Sequence, residues 1–516
     1  MNIRPLIGLL GVVIGVSFSE LNDQLANIAL PDIAGGLGIG VEAASWLNSI
    51  YLAGVVLGAV TGPSLAVIYS QRRYLLGAVA LVAAAALLQA ATTNYGLALG
   101  ARFLEGVGEG TIIANLIAAA LKALQPSIRL YGLIFYAMTA TMIPNLATGI
   151  AAVWVDVVGD WRFIFLQSLP LAAVSALLIW WGMPQEEPKR EMLKSWDWPG
   201  AIFGLLGFGA ILIFYEEGER YDWFNSKLLS TLALVGGVNV ILFIYRELTV
   251  PVPLVGMKLL AKRNLLYAAT TLILYIAISL SASTVPSDFL QQVHGYRPLQ
   301  TFPLTLEVGL AQLVLLPFTA WLLDHVWADS RVVSAIGLAC IFAACVWGTQ
   351  INSAWTRDQF YGIQALQAIG APFVVMPLLM VATNALQKPE EGPLGAALVN
   401  APRAATEAFG AGLLSIAVRW RGVLHEERIL DTLGQRRIDL VQLRRLPAAA
   451  LALTPHGEGP GGPALRALNA AVGEQVATLT ALDSYIGFAF LTAVLTVIAI
   501  FLPVRSPPPR IALAGG

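Results

Sequence analysis

The chain has 516 residues, a formal net charge of −1, and only 12% charged residues against 57% hydrophobic ones. Soluble globular proteins carry about 25% charged residues, and half that complement cannot clothe water-soluble domains of this size. A balance so near neutrality gives no electrostatic reason to bind nucleic acid, and the composition points instead to a lipid bilayer as the surrounding medium.

Apolar runs of about twenty residues recur from end to end, each long enough at 1.5 Å per residue to cross a hydrocarbon core of about 30 Å. Backbone surrounded by lipid must satisfy its own hydrogen bonds, so each run predicts a helix. The first covers residues 5–30. Arg4 followed by an apolar stretch looks like the start of a secretory signal peptide, but the run continues through Glu20 and Asp23 to Pro31 with no small-residue cleavage site. It reads as a first membrane span. Further spans are predicted at 44–69, 74–93, 96–121, 130–155 and 163–183, then at 198–215 and 228–245. Six more follow at 265–288, 302–323, 331–349, 360–385, 394–418 and 482–503. The expected fold class is an all-α polytopic membrane protein of about fourteen transmembrane helices.

Loop charges set the expected orientation. With the N-terminus inside, the short cytoplasmic loops hold Arg72, Arg73, Lys122, Arg129, Lys189, Arg190, Lys194, Arg246, Lys258, Lys262, Arg263, Arg331 and Lys388. The opposite short loops hold only Arg162, Arg220, Lys227, Arg297 and Arg357. Positive residues stay inside, which predicts both termini in the cytoplasm. One connection, 421–481, is long and lies on the outer side. Its first half, 423–453, mixes apolar residues such as Leu430 and Leu440 with Arg428, Arg436, Arg437, Arg444 and Arg445, the pattern of an amphipathic helix or helical pair. The segment 455–463, rich in Gly and Pro, breaks it. This element either lies on the membrane or transporter surface, or docks a partner protein.

Ionisable groups inside spans are costly unless paired or hydrated, so each is a functional candidate. Glu20, Asp23 and Asn27 share one face of the first helix, and Arg102, Glu105 and Glu109 share one face of the fourth. Glu307 stands alone in the tenth, and Arg403 with Glu407 forms an i, i+4 pair in the thirteenth. Arg102–Glu105 and Arg403–Glu407 can neutralise locally as structural ion pairs. Glu20, Asp23 and Glu109 have no cation nearby in sequence, which suits groups that bind and release protons. Other chemistry is scarce. No G-x-x-x-x-G-K-[ST] phosphate loop occurs, His294, His325, His425 and His456 form no metal-ligand pair, and Cys340 and Cys345 read as packing residues. Neither an enzyme nor a metal site is expected. Glycines at small-xxx-small spacing, among them Gly106/Gly110, predict close helix approach.

Several motifs carry a resemblance. The first helix ends Leu21-Asn22-Asp23-Gln24-Leu25-Ala26-Asn27-Ile28-Ala29-Leu30-Pro31, and the second opens on Trp46 and Tyr51. The fourth holds Arg102, Glu105, Gly106, Gly108 and Gly110, and Trp161, Arg162, Ile164, Phe165, Ser168 and Pro170 open the sixth. Asp197-Trp198-Pro199-Gly200 and Glu216-Glu217-Gly218-Glu219-Arg220-Tyr221-Asp222-Trp223 bracket the seventh. Together they resemble the fourteen-span drug:proton antiporters (EmrB/QacA type) of the major facilitator superfamily. Two patterns depart from that family. No acid occurs between residues 43 and 104, so the gating loop keeps only Arg72 and Arg73, and the glycine-rich signature of helix five is reduced to Pro144 and Gly149.

The resemblance implies two six-helix bundles, 1–190 and 251–516, flanking two central helices at 191–250. It further implies that Glu20, Asp23, Glu105 and Glu109 face a central cavity worked by alternating access. The implied function is proton-coupled export of drugs or other small amphipathic compounds across the inner membrane. The proton gradient takes the place of any cofactor, and a periplasmic adaptor and outer-membrane channel are candidate partners. The alternatives are an exporter dedicated to one endogenous metabolite and a non-transporting membrane receptor.

Overall fold

The computed structural model describes residues 3–125, 128–386, 391–435 and 462–509, and the regular elements among them are all helical. Lys388, His456, the arginines 436, 437, 444 and 445, and nearly all of the Gly/Pro-rich segment lie outside the described residues.

The N-terminal half comprises α1 (Arg4–Ile28), the short α2 (Leu30–Leu37), α3 (Val41–Tyr69), α4 (Gln71–Ala91) and α5 (Tyr95–Ala123), followed by α6 (Arg129–Thr141), α7 (Ile143–Ala152), α8 (Arg162–Leu166) and α9 (Ser168–Gly182). The central pair is α10 (Trp198–Glu216) and α11 (Lys227–Thr249). The C-terminal half comprises α12 (Arg263–His294), α13 (Pro298–Leu323), α14 (Ser330–Gly348), α15 (Arg357–Ala385), α16 (Glu391–Gln435) and α17 (Gly462–Phe501). Among the described residues, eleven of these helices are long and apolar enough to cross a bilayer alone, α8 with α9 (Arg162–Gly182) makes a twelfth such span, and α6 with α7 makes a thirteenth, bent by 42°. α16, which contains the span predicted at 394–418, carries too many polar groups to qualify on apolarity. It nevertheless packs against α3, α5, α12 and α17, where its polar face meets protein instead of lipid.

The bend of the fifth span comes from Pro144 in the first turn of α7, which removes a backbone donor. The Asn145 side-chain amide partly compensates, donating to the Thr141 carbonyl at 2.6 Å. The predicted gating loop is shorter than expected. α3 and α4 are separated by Ser70 alone, a buried residue at φ 78°, so Arg72 and Arg73 sit in the first turn of α4.

The connection predicted at 421–481 needs correction. α16 runs 45 residues, about 67 Å at 1.5 Å per residue, and α17 starts at Gly462, some twenty residues before the predicted span. Apolarity marks only the part of a helix that lies in lipid, whereas its hydrogen-bonded backbone continues into water undisturbed. The two extensions pair: Arg421 Nε and His425 Nε2 each lie 2.6 Å from Asp483 Oδ2. This projection marks the hairpin end of the bundle, opposite the terminal end, where α1 begins and α17 finishes.

Glycine decides how closely α3 and α5 approach. A methyl on Gly106 would overlap the Tyr51 carbonyl, and one on Gly110 the Val55 carbonyl. The spacing read from sequence therefore acts as a backbone-to-backbone contact, which places Tyr51 against the polar face of α5. The central pair lies beside the direct contact of α3 with α16, with α10 packed on both of them. Glu217, 1% exposed, accepts from Ser45 Oγ at 2.9 Å and Ser49 Oγ at 3.0 Å on α3. On the other side Tyr215 donates to the Phe409 carbonyl of α16 at 3.0 Å.

Candidate functional site

Two arginines organise the buried acids. Arg102, 2% exposed on α5, donates from Nη2 to Asp23 Oδ1 and from Nη1 to Glu105 Oε2, both at 3.0 Å. Glu105 is fully buried and also accepts from Asn22 Nδ2 at 3.0 Å and Gln89 Nε2 at 2.6 Å. The guanidinium lies 4.2 Å from the Tyr51 ring centre, a cation–π contact. This network joins α1, α3, α4 and α5, all in the N-terminal half.

The second network crosses the molecule. Arg403 of α16 donates from Nη2 to Glu20 Oε1 at 2.7 Å and from Nε to Glu407 Oε1 at 3.0 Å. Its guanidinium stands 5.9 Å from the ring of Tyr136, whose hydroxyl donates to Asn400 Oδ1 at 2.9 Å. Glu20 and Asp23, one turn apart on α1, therefore bind different arginines, one in each half. The local pairs Arg102–Glu105 and Arg403–Glu407 form as the spacing predicts. Glu20 and Asp23 have no cation nearby in sequence, and both of their partners come from other helices, 383 and 79 positions away.

Pairing is incomplete. Glu20 Oε2, Arg403 Nη1 and Glu109 Oε2 are buried without a hydrogen-bond partner among the described residues. Glu20 and Arg403 also line a cavity of about 770 Å³ that reaches from Tyr136 and Leu378 to Gln291, Tyr296 and Ser415 at the hairpin end. Toward the terminal end lie buried apolar residues of the core, among them Leu130 and Leu133 of α6, Val381 of α15 and Val399 of α16, none of which lines the cavity.

Of the sequence candidates, Glu20, Asp23, Asn27, Arg403 and Glu407 line the cavity. Arg102, Glu105 and Glu109 do not line it, and the first two form the layer behind Asp23. Glu307, the lone ionisable candidate on α13, is half-buried and stands outside the lining. Helical periodicity does not show which side of a lone helix meets water. Arg72 and Arg73 are also remote from the cavity. Arg72 stacks over Trp180 at 5.8 Å and Arg73 is exposed at the terminal end. Sequence reasoning missed Gln89, Tyr136 and Asn400, which are uncharged and carry no signal in a single sequence, and it missed Glu216 and Asp288 of the lining. Asp288 lies at the edge of an apolar run and could have been flagged as an intramembrane acid. Glu216 ends its span and reads as a loop residue.

A family model described as the Major Facilitator Superfamily matches residues 12–411. Fatty acid resistance protein FarB of Neisseria gonorrhoeae is 24% identical over 82% of this chain and 82% of its own. The probable multidrug resistance protein EmrY of Escherichia coli is 23% identical over 80% of each, and the multidrug export protein EmrB of the same organism 22% identical over 84% and 85%. Among solved structures, a double-tryptophan mutant of XylE superposes with a TM-score of 0.57 at 12% identity, covering 98% of both chains. The human organic anion transporter MFSD10 has the same TM-score and identity and covers 96% of this chain and 99% of its own. With its helical bundle, central cavity and family match, this multi-pass membrane protein belongs to the Major Facilitator Superfamily.

Proposed function

We propose that the protein is a proton-coupled exporter of small amphipathic compounds in the cell inner membrane, with both termini in the cytoplasm and the hairpin end outside. The units of the rocking motion are residues 1–190 and 251–516, with 191–250 between them. The observation that carries this reading is the sharing of α1 between two arginines of opposite halves. Arg102 belongs to the half that contains α1, whereas Arg403 belongs to the other, so the bond from Glu20 to Arg403 spans the surface along which the halves must move. Glu20, Asp23, Glu105 and Glu407 share two guanidiniums, and Glu109 Oε2 is buried without a hydrogen-bond partner among the described residues. A proton taken up by Glu20 weakens the bond between the halves, and its release restores that bond. The cavity, whose lining reaches the hairpin end but stops at Tyr136 and Leu379 on the other side, suits one end state of alternating access. The names of the relatives, which speak of multidrug export and fatty acid resistance, support export of toxic small molecules.

In proteoliposomes, an imposed pH gradient should drive substrate movement in the parent protein, and Glu20→Gln and Glu109→Gln should each abolish it. Unchanged gradient-driven transport in both variants would remove these acids from the mechanism. The helical projection formed by α16 and α17 extends beyond the bundle and is suited to dock a periplasmic adaptor that leads to an outer-membrane channel. Deleting 423–463 should spare transport in vesicles but eliminate resistance in intact cells, and undiminished resistance would dispose of the docking role.

A further inference from the structure

Charge around the cavity is one-sided. Among the described residues its lining holds the acids Glu20, Asp23, Glu216, Glu219, Asp288 and Glu407 but only one basic residue, Arg403. Most of these acids are accounted for. Arg403 holds Glu20 and Glu407, Arg102 holds Asp23, and Arg419 holds Glu219. Glu216 and Asp288 are different: among the described residues neither makes an ion pair or hydrogen bond, and both face the open volume.

Glu216 comes from the last turn of α10, in the central pair, and lies within electrostatic range of Asp23. Beside it Tyr215 is held edge-on by Phe409, with ring centres 4.8 Å apart. Tyr275, Leu272 and Ile276 supply apolar and aromatic wall. Deeper in the same cavity, Glu20 is 4% exposed and its Oε2 atom has no partner. A space of about 770 Å³ with aromatic walls and unmatched carboxylates suits a bulky organic cation. Such a cation would gain from the carboxylate charge and from the ring faces together.

We propose that Glu216 of the central helix pair forms, with Asp288 of α12, a subsite for amphipathic organic cations, so that the central pair takes part in choosing the substrate. The inference rests on the export reading insofar as it treats the cavity as the substrate's place. Glu219 lies one turn further on but is committed to Arg419 and to Trp223 Nε1, which donates to it at 3.0 Å. It therefore adds shape to the mouth rather than free charge.

The test uses two probes of the same shape and opposite charge, tetraphenylphosphonium and tetraphenylborate, in equilibrium binding to the purified full-length protein in detergent micelles. The parent protein should bind the phosphonium and discriminate against the borate by about tenfold or more. Glu216→Gln should weaken phosphonium binding by about tenfold, Asp288→Asn should weaken it also, and Glu216→Asp should retain it. The proposal is overturned by equal affinity for the two probes, by no phosphonium binding in the parent protein, or by full affinity in Glu216→Gln. Gradient-driven transport is measured in parallel. If transport fails while the charge discrimination holds, the export reading falls and the subsite stands. If transport persists without discrimination, only the subsite falls.

Discussion

Arg403→Gln strands two carboxylates at once. The donors stand 2.7 Å from Glu20 and 3.0 Å from Glu407, so the charge centres are about 4 Å apart, where each attraction is worth about 4 kcal/mol at an effective dielectric constant of ~20. Little of this is net stabilisation, because taking the ions out of water costs several kcal/mol. Deleting the cation alone forfeits the attraction and keeps the cost. The Glu407 side chain is 42% exposed to the cavity and recovers its hydration, whereas that of Glu20 is 6% exposed and does not. The expected destabilisation is therefore set by Glu20, at about 3–5 kcal/mol. Glu20→Gln leaves Arg403 bonded to Glu407 and should cost only about 1 kcal/mol. The double variant should recover about 2 kcal/mol of the loss seen in Arg403→Gln. Reversible unfolding in mixed detergent micelles, followed by circular dichroism, measures all three. Equal losses in the two single variants, or strict additivity in the double, would refute the reasoning.

Two further outcomes follow from packing and hydrogen bonding. Gly106→Ala and Gly110→Ala push methyl groups into the carbonyls of Tyr51 and Val55. Each should destabilise by about 1–3 kcal/mol and lower the yield of monodisperse protein in size exclusion, whereas Gly77→Ala, which meets nothing within 4 Å, should be neutral or slightly stabilising. Glu247, 1% exposed, accepts the backbone N–H groups of Leu254, Val255 and Gly256 at 2.9, 3.0 and 3.2 Å. Glu247→Ala orphans three donors, at about 1–3 kcal/mol for the first left unpaired, and should speed limited proteolysis between residues 250 and 257.

The mid-chain spans were legible because lipid imposes a crude requirement, about twenty apolar residues of helix, that composition alone reveals. The same signal failed where helices leave the membrane. Between Gly462 and residue 481 the apolar residues of α17, such as Leu468 and Val472, are interspersed with Arg466, Asn469, Glu474 and Gln475 and make no continuous run, yet its backbone stays helical. It weakened again at α16, whose polar face is covered by α3, α5 and α12. Among site residues, Arg102 with Glu105 and Arg403 with Glu407 could be paired on paper because one helical turn separates them. Glu307 could not be excluded from the cavity, because which flank of α13 faces it depends on how that helix is rotated in the bundle.

The sequence by itself determined that this is a membrane-spanning helical bundle, that α1, α5 and α16 carry charge where charge is costly, and that the Gly106/Gly110 face of α5 allows close helix approach. Only the tertiary structure decided which arginine each acid meets. The bond between Glu20 and Arg403 joins residues 383 positions apart. Such a pairing arises from the docking of two halves, and periodicity, which reports a helix's own faces, contains no information about what another helix presents to them.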